Sequence, residues 1–581
     1  METSSLFRQH VIQHKWRYLF GIALLSISSL LQLWIPVLLK EFTDQLQDYS
    51  ITVREVLMYA LWLALVGFLV AFFRSTSRIL LFTLARMLDK MTKRKLFQQW
   101  ERLSSSYFDR QRIGDLMSHA INDVNVLREV AMQGVFMTGE AIVLIGVSVI
   151  AMGMTVDWGL TLLVVLPLPA LTYLGYRFRS QIHIRATRVQ EAISQLTSRV
   201  QEFCSGIRIV KTYVQEKDEI EKFTQDNEYN VQTNRELIKS NSMFLSVSQG
   251  IVGLSFLISI VFGGILVLND RITLGEFVAF NTYLGLMVTP VENLGRVINT
   301  LQRGKAAEVR LHKVLSTQPE VTDSDDVLPL KSLQGDIRIR GLTFCYPESD
   351  KPALRDIDID VPAGSSLAIV GRVGSGKTTL VQLLLRMYNP PPGTIFIDGH
   401  ELRRIPLSVL RRSIGYVPQE YFLFSTTIAE NIAFDPNPYG EAEIVRAAKI
   451  AQVHDNIIEF PQKFETRLGE RGVSLSGGQR QRISMARALI KNPSILIFDD
   501  SLSAVDADTE ERILQGLKQV MKGRTTIIVS HRISAIREAD QIIVLDRGRI
   551  VERGRHDELV QLGGIYAKMH EQQQLNREMG E

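Results

Sequence analysis

The sequence predicts an α-helical membrane domain of six transmembrane helices fused to a separate α/β domain, and three observations carry that prediction. Apolar runs long enough to cross a bilayer recur before about residue 300. From there to about residue 565, strand-type and helix-type patterns alternate, as in a sheet covered by helices. Between the two lies a polar, acidic stretch from Ser316 to Gln334, with Pro319, Pro329 and the run from Asp323 to Asp326, which reads as a linker. The expected boundaries are 1–315 for the membrane domain, 316–335 for the linker and 336–581 for the α/β domain.

A chain of 581 residues is too long for one core, so division is expected on length alone. The formal net charge of +4 is small for this size, which argues against a nucleic-acid partner and assigns the Lys and Arg surplus to loops facing the cytosol. Cys204 and Cys345 are far apart in the sequence, so neither a disulfide framework nor a thiolate metal cluster is expected. The first apolar run follows a charged segment (Arg8, His14, Lys15, Arg17) without a small-residue cleavage site after it, and is read as a retained membrane helix.

Residues 1–17 read as an amphipathic lead-in lying at the membrane surface with Phe7, Val11, Ile12 and Trp16 on one side, or as a solvated helix. The six spans are expected at about 18–38, 56–78, 135–156, 158–177, 244–268 and 274–298. The connection after the first span carries Glu41, Asp44 and Asp48, whereas the segments 84–132 and 178–242 are long and basic. The positive-inside rule then puts those segments, both termini and the α/β domain in the cytosol. The two long segments keep helical periodicity, and at 1.5 Å per residue some 20 residues from Leu84 project about 30 Å from the membrane. They read as arms that reach the α/β domain, or as solvated helical hairpins. Glu140 in the third span, and Asn281, Glu292 and Asn293 in the last, are polar groups at membrane depth. Glu140 is expected either to attract cationic substrates into a cavity or to hydrogen-bond a neighbouring helix.

The chemistry is concentrated in the stretch Gly371, Arg372, Val373, Gly374, Ser375, Gly376, Lys377, Thr378 and Thr379, between an apolar strand (366–370) and a helical pattern (380–387). This is a phosphate-binding loop. Its glycines let backbone N–H groups converge on a triphosphate, the helix N-terminus adds partial positive charge, and Lys377 reaches the β and γ phosphates. Thr378 is placed to ligate Mg²⁺. The run Ile495 to Asp499 reads as a buried strand ending in a carboxylate that holds Mg²⁺ through water.

The segment Leu475, Ser476, Gly477, Gly478 and Gln479, followed by the basic helix from Arg480 to Arg482, identifies a family. With it the α/β half resembles the ATPase of ATP-binding cassette (ABC) transporters, and the whole chain resembles a half-transporter of the type I exporter fold. The resemblance implies that Ser476 to Gln479 closes over ATP held by the phosphate loop of a second half-transporter. It implies that Tyr346 stacks on adenine and that Gln419 joins Mg²⁺ and the attacking water. It implies that His531 contacts the γ-phosphate, that Ser503 to Asp506 crosses the dimer interface, and that Thr466 to Gly472 touches the partner's arm. Matches extend into the arms, through Phe108, Asp109, Gly114, Asp115 and Leu116 in the first and Glu202, Gly206, Ile207 and Lys211 in the second.

One position departs from the family pattern. After Asp499 the family places glutamate as the general base, and this chain has Asp500. A carboxylate drawn back by about 1.5 Å misplaces the attacking water, at a cost on the order of 10²-fold in rate, unless the backbone compensates. A weakened base beside an intact signature resembles one half, of the BmrC-like type, of a bacterial heterodimeric multidrug exporter. The resemblance implies ATP and Mg²⁺ as cofactors, a second half-transporter as partner (a heterodimer in preference to a homodimer), membrane lipid, an amphipathic small-molecule substrate such as a drug-like cation, and the bacterial plasma membrane as location. A lipid translocase of the same family, and a nucleotide-gated channel or sensor, are the competing expectations.

Overall fold

The computed structural model describes residues 6–324, 326–347, 349–469, 475–500 and 507–578. The chain divides into two compact units, one formed by Met1–Glu101 with Ile113–Thr317, the other by Arg102–Arg112 with Gln318–Glu581.

The first unit is helical. Among the described residues, Lys15–Gln47, Val53–Arg102, Ile113–Thr155 and Glu216–Leu268 are helical runs long and apolar enough to cross a membrane by length and composition. The other two expected spans also fall on helices, Trp158–Val165 followed by Leu168–Thr212, and Leu274–Ser316. Glu276, Glu292 and Arg296 dilute the apolar character of the last helix. That helix starts at a capping box in which the Thr273 hydroxyl accepts from Glu276 N–H while the Glu276 carboxylate accepts from Thr273 N–H. The same end is bound to the first span, where Asp44 accepts from Gly275 N–H at 2.8 Å and Lys40 pairs with Glu276 at 2.8 Å. A core of Leu144, Met152, Val164, Phe280, Leu284 and Met287 joins the third, fourth and last spans. The N-terminal helix Leu6–Gln13 buries Leu6 and His10, the latter bonded to Leu84 O at 3.0 Å. Phe7 and Val11 are half-buried against the neighbouring cores, whereas Ile12 on this helix and Trp16 on the next are 58% and 73% exposed.

The arms come out differently from each other. Helix Ser105–Arg110, at the turn of the first arm, belongs to the second unit. There the Tyr388 hydroxyl donates to Asp109 at 2.6 Å, Ser106 and Arg110 donate to the two Glu320 oxygens at 2.5 and 2.8 Å, and Val321 N–H donates to Ser104 Oγ at 2.8 Å. The second arm turns at Tyr213–Gln215 between Leu168–Thr212 and Glu216–Ile258, leaving Ile209, Tyr213 and Val214 exposed by 66%, 70% and 78%. The stretch expected as a linker is held along its length, with Arg386 donating to Thr322 O at 2.7 Å and Leu328 N–H to Arg404 O at 2.9 Å.

In the second unit, strands β1 (Ile337–Phe344), β2 (Leu354–Val361), β4 (Ile395–Ile397) and β5 (His400–Glu401) form an antiparallel sheet in the order β2-β1-β4-β5. The larger sheet contains β3 (Ser366–Gly371), β6 (Ile414–Val417), β7 (Ile495–Asp499), β8 (Thr525–Val529), β9 (Gln541–Asp546) and β10 (Arg549–Gly554) in the order β10-β9-β3-β8-β7-β6. Its strands are parallel except β10. Both faces are covered. Ala368, Val370, Leu496, Phe498, Ile542 and Val544 point into one core, while Leu367, Ile369, Ile495, Ile497, Ile543 and Leu545 point into the other. This explains why the strands read as unbroken apolar runs instead of alternating ones.

Candidate functional site

In a parallel sheet, ligands bind outside the carboxyl ends of the strands. Here β3 ends in the phosphate loop, β7 in Asp499 and Asp500, β8 in Ser530 and His531, and β6 two residues before the exposed Gln419. Register makes these ends neighbours, since Asp499 pairs with Val529, Ile369 with Val529, and Val417 with Phe498. The sequence candidates Lys377, Thr378, Asp499, Asp500 and His531 are thereby brought to one edge.

The loop geometry follows from its glycines. Gly376 has φ +105°, and a Cβ there would meet Leu354 Cδ2 at 2.7 Å and Ala353 O at 2.9 Å. At Gly371 a Cβ would lie 2.2 Å from Leu545 O. Both positions therefore require glycine for conformation and for space. Gly376 caps helix Lys377–Leu384, whose first N–H groups face the loop. Lys377, 7% exposed, donates to Gly371 O at 2.8 Å and Arg372 O at 2.9 Å. Its ammonium pKa is lowered by burial, with the Asp500 and Asp499 carboxylates acting in the opposite direction. Ser375 is buried with its hydroxyl unpartnered, whereas Val373 at the loop tip is 92% exposed.

Asp499 is 1% exposed. Burial and then the Asp500 charge push its carboxyl pKa up, against the pull of Lys377 and of hydrogen bonds from Tyr416 and Thr378. Its Oδ2 is a buried acceptor without a hydrogen-bond partner. A buried, partnerless carboxylate oxygen beside a threonine hydroxyl suits a hard divalent cation. Among the described residues no group of three or more His, Cys, Asp or Glu could hold a metal by itself. Such a cation would thus take the rest of its shell from nucleotide oxygens and water.

Asp500 has φ +46°, a left-handed conformation that aspartate tolerates better than longer side chains, and its N–H donates to Val529 O at 2.8 Å. His531 Nε2 lies 4.0 Å from Asp500 Oδ2. Tyr346 packs edge-on against Phe344 and Tyr388, with centroids 5.3 and 5.2 Å away, and its hydroxyl bonds Thr379 at 3.0 Å and Gln382 at 3.1 Å. The Ser476 hydroxyl accepts from Gln479 N–H at 3.2 Å, and the Gln479 side chain accepts from Ser476 N–H at 3.0 Å. This capping box opens helix Gly477–Ile490 and leaves the N–H groups of Gly477 and Gly478 unused by it. The family-based assignments at Ser503–Asp506 and at 470–472 lie outside the described residues.

Sequence reasoning missed Gln573. From helix Ile565–Glu578 its amide donates to His531 O at 2.5 Å and accepts from Ile533 N–H at 2.9 Å, gripping the loop that carries His531 on both sides. The helix is itself held at its start, where the Glu552 carboxylate accepts from Ile565 and Tyr566 N–H and the buried Tyr566 hydroxyl shares a 2.8 Å hydrogen bond with His556. A lone glutamine in a C-terminal helix carries no motif, so nothing in the sequence signals it. Replacing Gln573 with Ala is expected to slow ATP hydrolysis about tenfold with little change in KM, because its loss frees two backbone groups of the loop that carries His531. Gln573→Glu, which keeps the acceptor, should fall between. Steady-state hydrolysis by the purified dimer measures both.

Glu140 faces another helix of the membrane unit. Its carboxylate is ion-paired with Arg74 on the second span, and both side chains line a cavity of the membrane unit.

Comparison with known proteins agrees with this architecture. Residues 18–291 match the family model for the ABC transporter transmembrane region, and residues 354–503 match that for the ABC transporter ATP-binding domain. The chain is 37% identical over 562 residues to a probable multidrug resistance ABC transporter ATP-binding/permease protein, YheI, of Bacillus subtilis, covering 96% of this chain and 95% of that protein. It is 37% identical over 491 residues to an ATP-dependent lipid A-core flippase of Syntrophus aciditrophicus, covering 84% and 81%. A bacterial Atm1-family ABC exporter solved with ATP bound superposes with a TM-score of 0.79 at 27% identity, over 96% of this chain and 98% of that one. The expected fold is thus borne out, and the chain belongs to the ABC transporter family as a half-transporter of the type I exporter fold, a membrane protein whose ATP hydrolysis drives transport in a dimer.

Proposed function

We propose that this chain is one half of a heterodimeric multidrug exporter in the bacterial plasma membrane, with its ATPase and both termini in the cytosol. The observation that carries the pairing is Asp500, a shortened base in a chain whose own signature, Ser476 to Gln479, is intact. One composite site joins this chain's Tyr346, phosphate loop, Gln419, Asp499, Asp500 and His531 to the partner's signature and turns over slowly. The other joins the partner's phosphate loop and base to Ser476, Gly477, Gly478 and Gln479 of this chain and turns over fast. Thr378, Gln419 and Asp499 would hold Mg²⁺, which would supply charge neutralisation on the phosphates.

Within the slow site this chain's groups have separate tasks. Lys377 and the loop N–H groups bind the phosphates, Asp500 accepts a proton from the attacking water, and His531 steadies the terminal phosphate. ATP binds the closed pair of ATPase domains better than the open pair, and that difference switches the membrane helices from inward-facing to outward-facing. The exposed tip of the second arm, with Ile209, Tyr213 and Val214 in solvent, suits contact with the partner's ATPase. A lipid or amphiphile translocase is the second reading, favoured by the similarity to a protein named as a lipid A-core flippase.

Native mass spectrometry of the tagged chain, purified from its own membrane in mild detergent, tests the pairing. The expected species pairs this chain with a different half-transporter that carries glutamate at the position of Asp500. A complex of two identical chains would overturn the asymmetry, because both sites would then have the shortened base. ATP-dependent uphill accumulation of a dye in inverted vesicles separates a pump from a channel or sensor, which only dissipates a gradient.

A further inference from the structure

Helix Ile565–Glu578 reaches the ATP site through one side chain, since the Gln573 amide donates to His531 O at 2.5 Å and accepts from Ile533 N–H at 2.9 Å. That grip is only as firm as the seat of the helix. Tyr566, in its first turn, is fully buried, and its hydroxyl meets His556 Nδ1 at 2.8 Å. Among the described residues no other hydrogen bond reaches that hydroxyl. One turn further along the same helix, the His570 ring lies 5.2 Å from the His556 ring, centroid to centroid. Other charged groups act here as well: Arg537 from the segment that follows His531, and Asp557 on the helix His556–Leu562. Glu552 on β10 is occupied at the helix start by the N–H groups of Ile565 and Tyr566.

The His556–Tyr566 pair has two protonation states. With His556 neutral and Nδ1 as the acceptor, the Tyr566 hydroxyl donates to it and the buried O–H is satisfied. A proton on Nδ1 makes both atoms donors. Tyr566 then accepts from the imidazolium, but its own hydrogen is left in the core without an acceptor, which weakens the seat. The new charge also stands near His570 and Arg537, with Asp557 opposing them. Burial first, and then the charges of His570 and Arg537, hold the His556 pKa below its ordinary 6.5, against the pull of Asp557. Burial and then Asp557 push the Tyr566 hydroxyl up to about 12, so it keeps its proton throughout. Once the helix leaves, His556 returns to its ordinary value. Seating is therefore complete above pH 6.5 and weakens as the pH falls below it.

We propose that His556 and Tyr566 form a proton-operated catch on the ATP site. While His556 is neutral, the helix stays seated and Gln573 holds the His531 loop. When His556 takes up a proton the seat weakens, the grip is lost and hydrolysis slows. Both are positioning residues that act on His531 through a helix. β10 runs against the parallel strands, so His556, just beyond its end, starts at the opposite edge of the sheet from the phosphate loop. The effect is bounded by the loss of Gln573 itself, about tenfold in rate. The inference rests on His531 serving the ATP site, and it adds cytosolic acidity as an input to the pump.

The test uses the full-length dimer in nanodiscs, with the partner's site disabled so that this chain's loop alone is read. Hydrogen exchange, followed by mass spectrometry between about pH 7.5 and 5.5, reports the Ile533 amide that Gln573 holds, corrected for the intrinsic pH dependence of exchange and referred to the β8 strand. In the unaltered chain its protection is expected to fall at least about threefold in acid, a comparison that needs no variant. His556→Asn keeps an acceptor near the place of Nδ1 and takes up no proton, so its Ile533 amide should stay protected. Gln573→Ala should show low protection at every pH and no further loss in acid. ATP hydrolysis is read in the same samples, and because other groups of the site also take up protons, chains are compared at the same pH. The acid loss of rate should be at least about threefold smaller in His556→Asn than in the unaltered chain. Protection of Ile533 that does not change with pH in the unaltered chain, or that is lost equally in His556→Asn, overturns the catch. So does Gln573→Ala hydrolysing at the unaltered rate at pH 7.5, since the grip would then not serve the site. Absence of hydrolysis by the unaltered chain at pH 7.5 counts against the ATPase reading instead, and the exchange measurement still decides the catch.

Discussion

Asp500→Glu is expected to raise the rate of ATP hydrolysis at this chain's own phosphate loop, by up to about 10²-fold, in a dimer whose other site is disabled. The added methylene advances the carboxylate by about 1.5 Å toward the water it must polarise, and proton-transfer catalysis is that sensitive to placement. The backbone at residue 500 sets a limit on the gain. Its φ of +46° is a conformation in which side chains other than Asn and Asp are strained, and glutamate there costs about 1 kcal/mol. Asp500→Asn, which keeps the size and removes the base, should lower hydrolysis further. Single-turnover hydrolysis of radiolabelled ATP reads all three chains. An unchanged rate in Asp500→Glu would mean that the left-handed turn already brings the shorter side chain to the working position.

Lys377→Ala is expected to abolish tight ATP binding at the same loop and to lower hydrolysis by at least about 10²-fold, the range seen when a preorganised donor to a developing charge is removed. Lys377 is the cation set against Asp499 and Asp500 in this corner of the sheet. Without it the two carboxylates face the entering triphosphate with one cation fewer beside them. Lys377→Arg should not rescue function, because the ammonium reaches the Gly371 and Arg372 carbonyls from a site only 7% exposed, and the planar guanidinium is larger and differently shaped. Equilibrium dialysis with labelled ATP separates the loss of binding from the loss of chemistry. Chelation of Mg²⁺ should remove hydrolysis from the unaltered chain, since the partnerless oxygen of Asp499 needs a cation to be useful.

The phosphate loop was legible in the sequence because steric rules leave it little choice. Gly371 and Gly376 have no room for a Cβ, so a working loop must carry glycine at those places. Asp499 was legible for a similar reason, as a carboxylate at the end of an apolar run is costly without a task. The strand order was not, because the apolar pattern of β3, β7 and β8 is the same whichever neighbours they take. The partner of Glu140 was hidden because Arg74 lies 66 positions earlier, and nothing in the local pattern links two charges on separate spans. Gln573 was hidden because it works through its amide on backbone atoms, and backbone atoms leave no trace in a sequence. At the N-terminal helix Phe7 and Val11 pack inward beside the buried Leu6 and His10, and the hydrogen bond between His10 and Leu84 O was hidden because the two residues lie 74 positions apart.

The segment 102–112 is counted with the ATPase although the rest of that unit begins at Gln318, and this sets an order in time. Asp109 leaves the ribosome 279 residues before the tyrosine whose hydroxyl it will accept. At about 5–20 residues per second, the short helix waits roughly 15 to 55 seconds, without the surface it completes, while the remaining spans are inserted. Release of the finished ATPase, and not emergence of the arm, is therefore the event that closes this contact during biogenesis. A chain that stalls between residues 112 and 388 presents the quality-control machinery with an arm whose counterpart does not yet exist.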